Sequence, residues 1–122
     1  MVSVLQNFET LKRNSDFRRI YARGKSYGSS SLVTYVLKNT TKNVRIGITT
    51  SKKIGNAVKR NRSRRVILAA FRELSAKVKV GYDFVFVARP LTPNLKSTEI
   101  KAVMEKQLKA AGVLLNEPND GQ

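Results

Sequence analysis

The stretch Ser51-Lys52-Lys53-Ile54-Gly55-Asn56-Ala57-Val58-Lys59-Arg60-Asn61-Arg62-Ser63-Arg64-Arg65-Val66-Ile67-Leu68-Ala69-Ala70-Phe71-Arg72 holds eight cations and no acid in 22 residues. Gly55 frees the backbone and Asn56 suits an N-cap, so the spacing predicts a helix from about Ala57 to Leu74. Ser63, Val66, Ile67, Ala70, Phe71 and Leu74 fall at i, i+3, i+4, i+7, i+8 and i+11, a core-facing stripe. Asn61, Arg62, Arg65 and Arg72 gather on the opposite side with Leu68 and Ala69, while Lys59, Arg60 and Arg64 flank the stripe. A basic helix face is usually just solvated. Here the one acid in the helix is Glu73, so its cations lack i, i+4 partners and repel one another. Relief has to come from outside the chain, and the planar fork of arginine suits phosphate.

The charge is lopsided in the same sense. Of a net +16, residues 1–72 carry +15 and residues 73–122 carry +1. Such a basic half draws a polyanion, and nucleic acid is the commonest in a cell. An anionic membrane is the competitor, but the basic segments have no broad Trp, Phe or Leu face to bury in lipid. No apolar run reaches the roughly 20 residues of a membrane span, and Met1 to Leu11 has no secretory core. The expectation is a soluble, cytoplasmic protein. At 122 residues with 41% hydrophobic content the chain reads as one folded domain, 1–122.

Cysteine and histidine are absent. Disulfides, thiolate or imidazole zinc sites and Ser-His or Cys-His catalysis are thereby excluded. The acids Glu9, Asp16, Glu73, Asp83, Glu99, Glu105, Glu117 and Asp120 show no metal-motif spacing, and no Gly-x-x-x-x-Gly-Lys-Ser/Thr loop is present. No catalytic residue and no metal ligand is expected in the chain.

Along the rest of the sequence, residues 1–11 read as an irregular arm. Asn14-Ser15-Asp16 and Gly24 frame a short helix over about residues 16–23, in which Phe17, Ile20 and Tyr21 share one face and Arg18, Arg19 and Arg23 lie off it. Spacing alone makes Phe17 and Tyr21 core residues. Residues 27–31 are turn-like, Leu32 to Leu37 and Val44 to Thr49 are strands, and Asn39 to Asn43 is a hairpin loop that pairs them antiparallel. Tyr82 to Ala88 is nearly all apolar and therefore central. A last helix starts at Ser97-Thr98-Glu99, carries Ile100, Val103, Met104, Leu108 and Ala111 on one face, and stops at Gly112. Residues 113–122 read as a flexible tail. The order is α-β-β-α-β-α, an α+β sandwich with a small mixed sheet and packed helices.

Arg45-x-Gly47 followed by Ser51-Lys52-Lys53-x-Gly55-x-Ala57-Val58-x-Arg60-Asn61-Arg62-x-Arg64-Arg65 closely resembles the signature of the protein subunit of bacterial ribonuclease P. The resemblance begins at Leu11-Lys12-Arg13-Asn14-x-Asp16-Phe17 and runs to the last helix. It implies the ribonuclease P protein fold, similar to ribosomal S5 domain 2. It further implies an accessory subunit, monomeric when free, of a holoenzyme whose catalytic RNA, with Mg2+, removes the 5′ leader of precursor tRNA. By the same resemblance Lys52, Lys53, Arg60, Asn61, Arg62, Arg64 and Arg65 bind the catalytic RNA, and Phe17, Tyr21 and Tyr35 line a cleft for the single-stranded leader. That reverses the core reading of Phe17 and Tyr21, in keeping with aromatics beside arginines holding single strands. Leu68 and Ala69 depart from the Arg-Glu pair common in the family. Two rival readings are a structural RNA-binding protein, such as a small ribosomal protein, and a DNA-binding regulator. The latter lacks the short helix and tight turn of a helix-turn-helix unit before the basic helix.

Overall fold

The apolar run Tyr82-Asp83-Phe84-Val85-Phe86-Val87-Ala88 can satisfy both its faces only in the middle of a sheet covered on both sides. A computed structural model describes residues 8–115 and places it there. The elements are β1 (Phe8–Thr10), α1 (Asn14–Arg23), β2 (Lys25–Tyr27), β3 (Leu32–Lys38), β4 (Val44–Thr49), α2 (Ala57–Leu74), β5 (Tyr82–Ala88) and α3 (Ser97–Ala110). Short 3-10 turns lie at Lys52–Ile54, Ser75–Lys77 and Thr92–Asn94. The sheet order is β1-β4-β5-β3-β2, with β4 parallel to β5, β1 parallel to β4, and β3 antiparallel to both β5 and β2. The mixed α+β architecture is the one expected.

The expected hairpin is not formed. β3 and β4 lie on either side of β5, because β5 has the larger apolar demand and takes the place between them. Residues 39–43 instead bridge the start of β5. Asn39 N–H donates to Gly81 O at 2.8 Å, and Gly81 N–H donates to Asn43 O at 3.1 Å. Gly81 sits at φ +89°, a conformation open mainly to glycine, which lets the chain turn from that bridge into β5.

Two short strands join the sheet as well, the first inside the expected irregular arm and the second in a segment given no strand. Phe8–Thr10 pairs with β4, anchored by the Phe8 ring packed edge-on to Phe71 at 5.0 Å, and Lys25–Tyr27 forms the opposite edge against β3. At the other end Val113 is buried, Leu114 bridges to Val78, and Leu115 N–H donates to Lys77 O at 2.7 Å. These residues are therefore not a loose tail. The remainder of the expected arm and tail, residues 1–7 and 116–122, lies outside the described residues.

Strand alternation then sorts the side chains. Leu32, Val36, Ile46, Phe84 and Phe86 point to one face, where α2 and α3 cover them. α2 buries Ser63, Val66, Ile67, Ala70, Phe71 and Leu74, the stripe read from its spacing. α3 buries Ile100, Met104 and Leu108, and its start is secured by Lys96 N–H donating to the Glu99 carboxylate at 2.9 Å. Each fully buried Leu, Ile or Phe in this layer contributes roughly 2 kcal/mol. The opposite face carries Arg45, Gly47 and Thr49 of β4, Asp83, Val85 and Val87 of β5, and Val33, Tyr35 and Leu37 of β3. Among the described residues only α1 packs there, through Ile20 against Leu11 and Val85.

Candidate nucleic-acid interface

α1 is ten residues long and cannot cover a five-stranded face, so its flanks border open sheet. Phe17 and Tyr21, four residues apart, project on one flank beside the buried Ile20. The Phe17 ring lies across Gly47, so close that a Cβ there would sit 2.5 Å from Phe17 Cζ. Tyr21 stands 6.5 Å from Phe17 and meets Tyr35 edge-on at 4.9 Å, and its hydroxyl shares a 2.6 Å hydrogen bond with Thr49 Oγ1. The three rings assigned to a cleft thus form one cluster. Phe17 and Tyr35 are half-buried and Tyr21 is 37% exposed, which leaves ring surface facing solvent beside the half-buried Val33 and Val87.

The basic helix begins where expected. Asn56 caps it by accepting Lys59 N–H at 3.0 Å, and Ser51 Oγ accepts Lys53 N–H at 3.3 Å in the turn before it. The cations divide into two groups that the wheel alone does not distinguish. Arg60 donates to Gly55 O at 2.6 Å, Arg62 donates through Nε to Pro93 O at 2.6 Å and through Nη2 to Leu95 O at 3.3 Å, and Arg64 donates to Ile48 O at 3.3 Å. Lys52, Lys53, Asn61 and Arg65 are exposed, and their side chains have no hydrogen-bond partner among the described residues. The Arg64 contact joins the two parts of the surface, because Ile48 adjoins Thr49, the partner of Tyr21. Leu68 is half-buried and packs at the margin of the core, which accounts for an apolar residue there.

Sequence reasoning missed Asp83. Its carboxylate is fully buried and accepts from Arg45 Nε and Nη2 at 2.8 Å each, from Asn39 Nδ2 at 2.8 Å and from Arg19 Nη2 at 3.0 Å. Burial pushes its pKa upward, but the hydrogen bonds from Arg45, Asn39 and Arg19 outweigh it and hold the group below the usual carboxylate range. Asp83 in turn raises Arg19 and Arg45 above their ordinary values, chiefly through those hydrogen bonds and against the effect of burial. The signal was available: an acid inside an apolar strand needs a partner, and Arg45 sits on the same face. Among the described residues no three potential metal-ligating side chains converge, and no helix is long and apolar enough to cross a membrane.

A family model described as Ribonuclease P matches residues 5–112. The chain belongs to the ribonuclease P protein family. It is 44% identical over 108 residues to the ribonuclease P protein component of Clostridium novyi, covering 86% of this chain and 95% of that one. It is 41% identical over 104 residues to that of Clostridioides difficile, covering 84% and 91%. The solved RNase P protein of Staphylococcus aureus superposes with a TM-score of 0.77 at 34% identity, covering 86% of this chain and 96% of the other. Membership in the ribonuclease P proteins, expected from the string Ser51 to Arg65, is established, and the fold agrees with theirs.

Proposed function

We propose that this ribonuclease P protein component binds a catalytic RNA through Lys52, Lys53 and the exposed polar side chains at the start of α2, and holds the single-stranded 5′ leader of precursor tRNA on Phe17, Tyr21 and Tyr35. The observation that carries the reading is the Tyr21 contact with Thr49, one residue from the carbonyl that receives Arg64. It supports a surface on which stacking rings and phosphate-binding cations adjoin, the combination that retains single strands with little sequence preference. Lys52, Lys53, Asn61 and Arg65 present the free donors, while Arg60, Arg62 and Arg64 brace the backbone around them and keep unused N–H groups for phosphate.

Bond cleavage is assigned to the RNA. Mg2+ belongs to that RNA in this reading, since the described carboxylates do not converge into a donor set and Asp83 is saturated by arginines. The chain itself positions the substrate: rings stack on leader bases, cations offset repulsion between two polyanions, and the cleavage site is brought to the RNA. The free protein is a monomer in the cytoplasm and has no duplex DNA target. Purifying the full chain from its cells and sequencing the RNA that accompanies it tests the reading. Enrichment of one structured RNA together with tRNA precursors supports it, and recovery of ribosomal RNA alone overturns it in favour of a structural RNA-binding role.

A further inference from the structure

Arg19 and Arg23 leave α1 on the flank opposite to Phe17 and Tyr21, since the two pairs are offset by two residues, about 200° around the helix. On that side Arg19, Arg23, Lys38, Arg45 and Asn39 border a recess of about 290 Å³ that the aromatic cleft does not include. Four cations are among its lining residues, against Asp83 and Asp16, which bind Arg19. Asp83 is sealed beneath Arg19 and Arg45, so a ligand entering the recess meets guanidinium groups and not the carboxylate. Asp83 also does more than neutralise. By binding Arg45 through Nε and Nη2 and Arg19 through Nη2, it prevents either fork from swinging away, and it leaves Arg45 Nη1 and Arg19 Nε and Nη1 unoccupied by it. Arg23 and Lys38 have no acid partner among the described residues and complete the rim from the end of α1 and the end of β3.

We infer that this recess is a second anion site, preorganised by Asp83, that takes a backbone phosphate of RNA. Two fixed arginine forks are suited to non-bridging phosphate oxygens, and fixing them in advance removes part of the ordering cost of binding. The inference rests on the RNA-binding reading above and deepens it. Because α1 separates the recess from the aromatic cleft, the phosphate belongs to a stretch of RNA other than the one stacked on Phe17 and Tyr21. That stretch lies either in the catalytic RNA or in the body of precursor tRNA.

The test is a salt series of binding constants for the full chain carrying Arg23→Gln with Lys38→Gln, neither of which holds a described partner. One arm measures binding to ribonuclease P RNA, the other binding of precursor tRNA by the reconstituted holoenzyme. Lys79→Gln with Lys109→Gln removes the same charge elsewhere, and Arg65→Gln reports on the α2 surface. The expected result is a fall of about one unit or more in the log–log salt slope in one arm, which names the source of the phosphate, with the Lys79 and Lys109 variant unchanged. A wild-type slope in both arms, or an equal fall in the Lys79 and Lys109 variant, overturns the inference. If Arg65→Gln lowers the slope in that case, the reading of α2 survives alone; if it does not, both fall.

Discussion

Arg45 holds Asp83 by two parallel hydrogen bonds, Nε to Oδ1 and Nη2 to Oδ2, each 2.8 Å long. The carboxylate is buried, so its charge is tolerated only while these partners are in place. Its folded-state pKa lies below the unfolded value, so the stabilisation is complete above about pH 4 and is lost as pH falls through the folded-state value. Asp83→Asn is expected to lower unfolding free energy by about 3 kcal/mol at pH 7 and to flatten the decline of stability below pH 4. Urea titrations at a series of pH values measure both; an unchanged acid limb would count against the assignment.

Gly47 is the floor beneath Phe17. Gly47→Ala forces the ring to move, because the new Cβ meets Phe17 Cζ at 2.5 Å. The holoenzyme should then lose affinity for precursor tRNA while keeping its affinity for mature tRNA, as should Phe17→Ala. Loss of one stacked base costs about 1 kcal/mol or more, several-fold in affinity. Equal loss for both RNAs removes the leader from this cleft.

Arg62 and Arg65 should separate stability from binding. Arg62 ties α2 to Pro93 O and Leu95 O, so Arg62→Ala is expected to lower stability by roughly 1 kcal/mol as well as weaken RNA binding. Arg65→Ala should leave the thermal midpoint unchanged and reduce the salt slope by about one unit. Calorimetry and a salt series on the two variants check this, and a destabilised Arg65 variant would contradict it.

Gln107 is a buried polar residue that the apolar face of α3 concealed. Its Oε1 accepts Thr34 Oγ1–H at 2.7 Å and its Nε2 donates to Leu32 O at 2.8 Å. Gln107→Leu strands the Thr34 hydroxyl and should cost about 1–3 kcal/mol. Adding Thr34→Val should restore most of it, because Leu32 O still accepts from Ser29. Failure of the second substitution to recover stability would mean that the pair does not act as a unit.

Local signals carried the elements well. The α2 stripe, its Asn56 cap and the central place of β5 were readable because periodicity, capping and two-sided hydrophobicity are properties of neighbouring residues. Strand pairing was not. Thr41 and its neighbours look like a hairpin loop whether or not a third strand enters between the strands they join, and that strand lies some 40 residues downstream in the sequence. Short strands such as Phe8–Thr10 are set by their sheet partners and leave little pattern of their own. At the interface, residue types marked the cations and rings, and the family signature assigned them roles. That Arg60, Arg62 and Arg64 are partly spent on backbone carbonyls depends on tertiary approach, as does the role of Asp83.

The central claim is that this chain assists an RNA enzyme. The most direct measurement is 5′ processing of precursor tRNA by its ribonuclease P RNA at low Mg2+, with and without the protein. The account predicts slow cleavage by the RNA alone and restoration of efficient cleavage at the same site on adding the protein. A protein that binds the RNA and leaves the rate unchanged would contradict it.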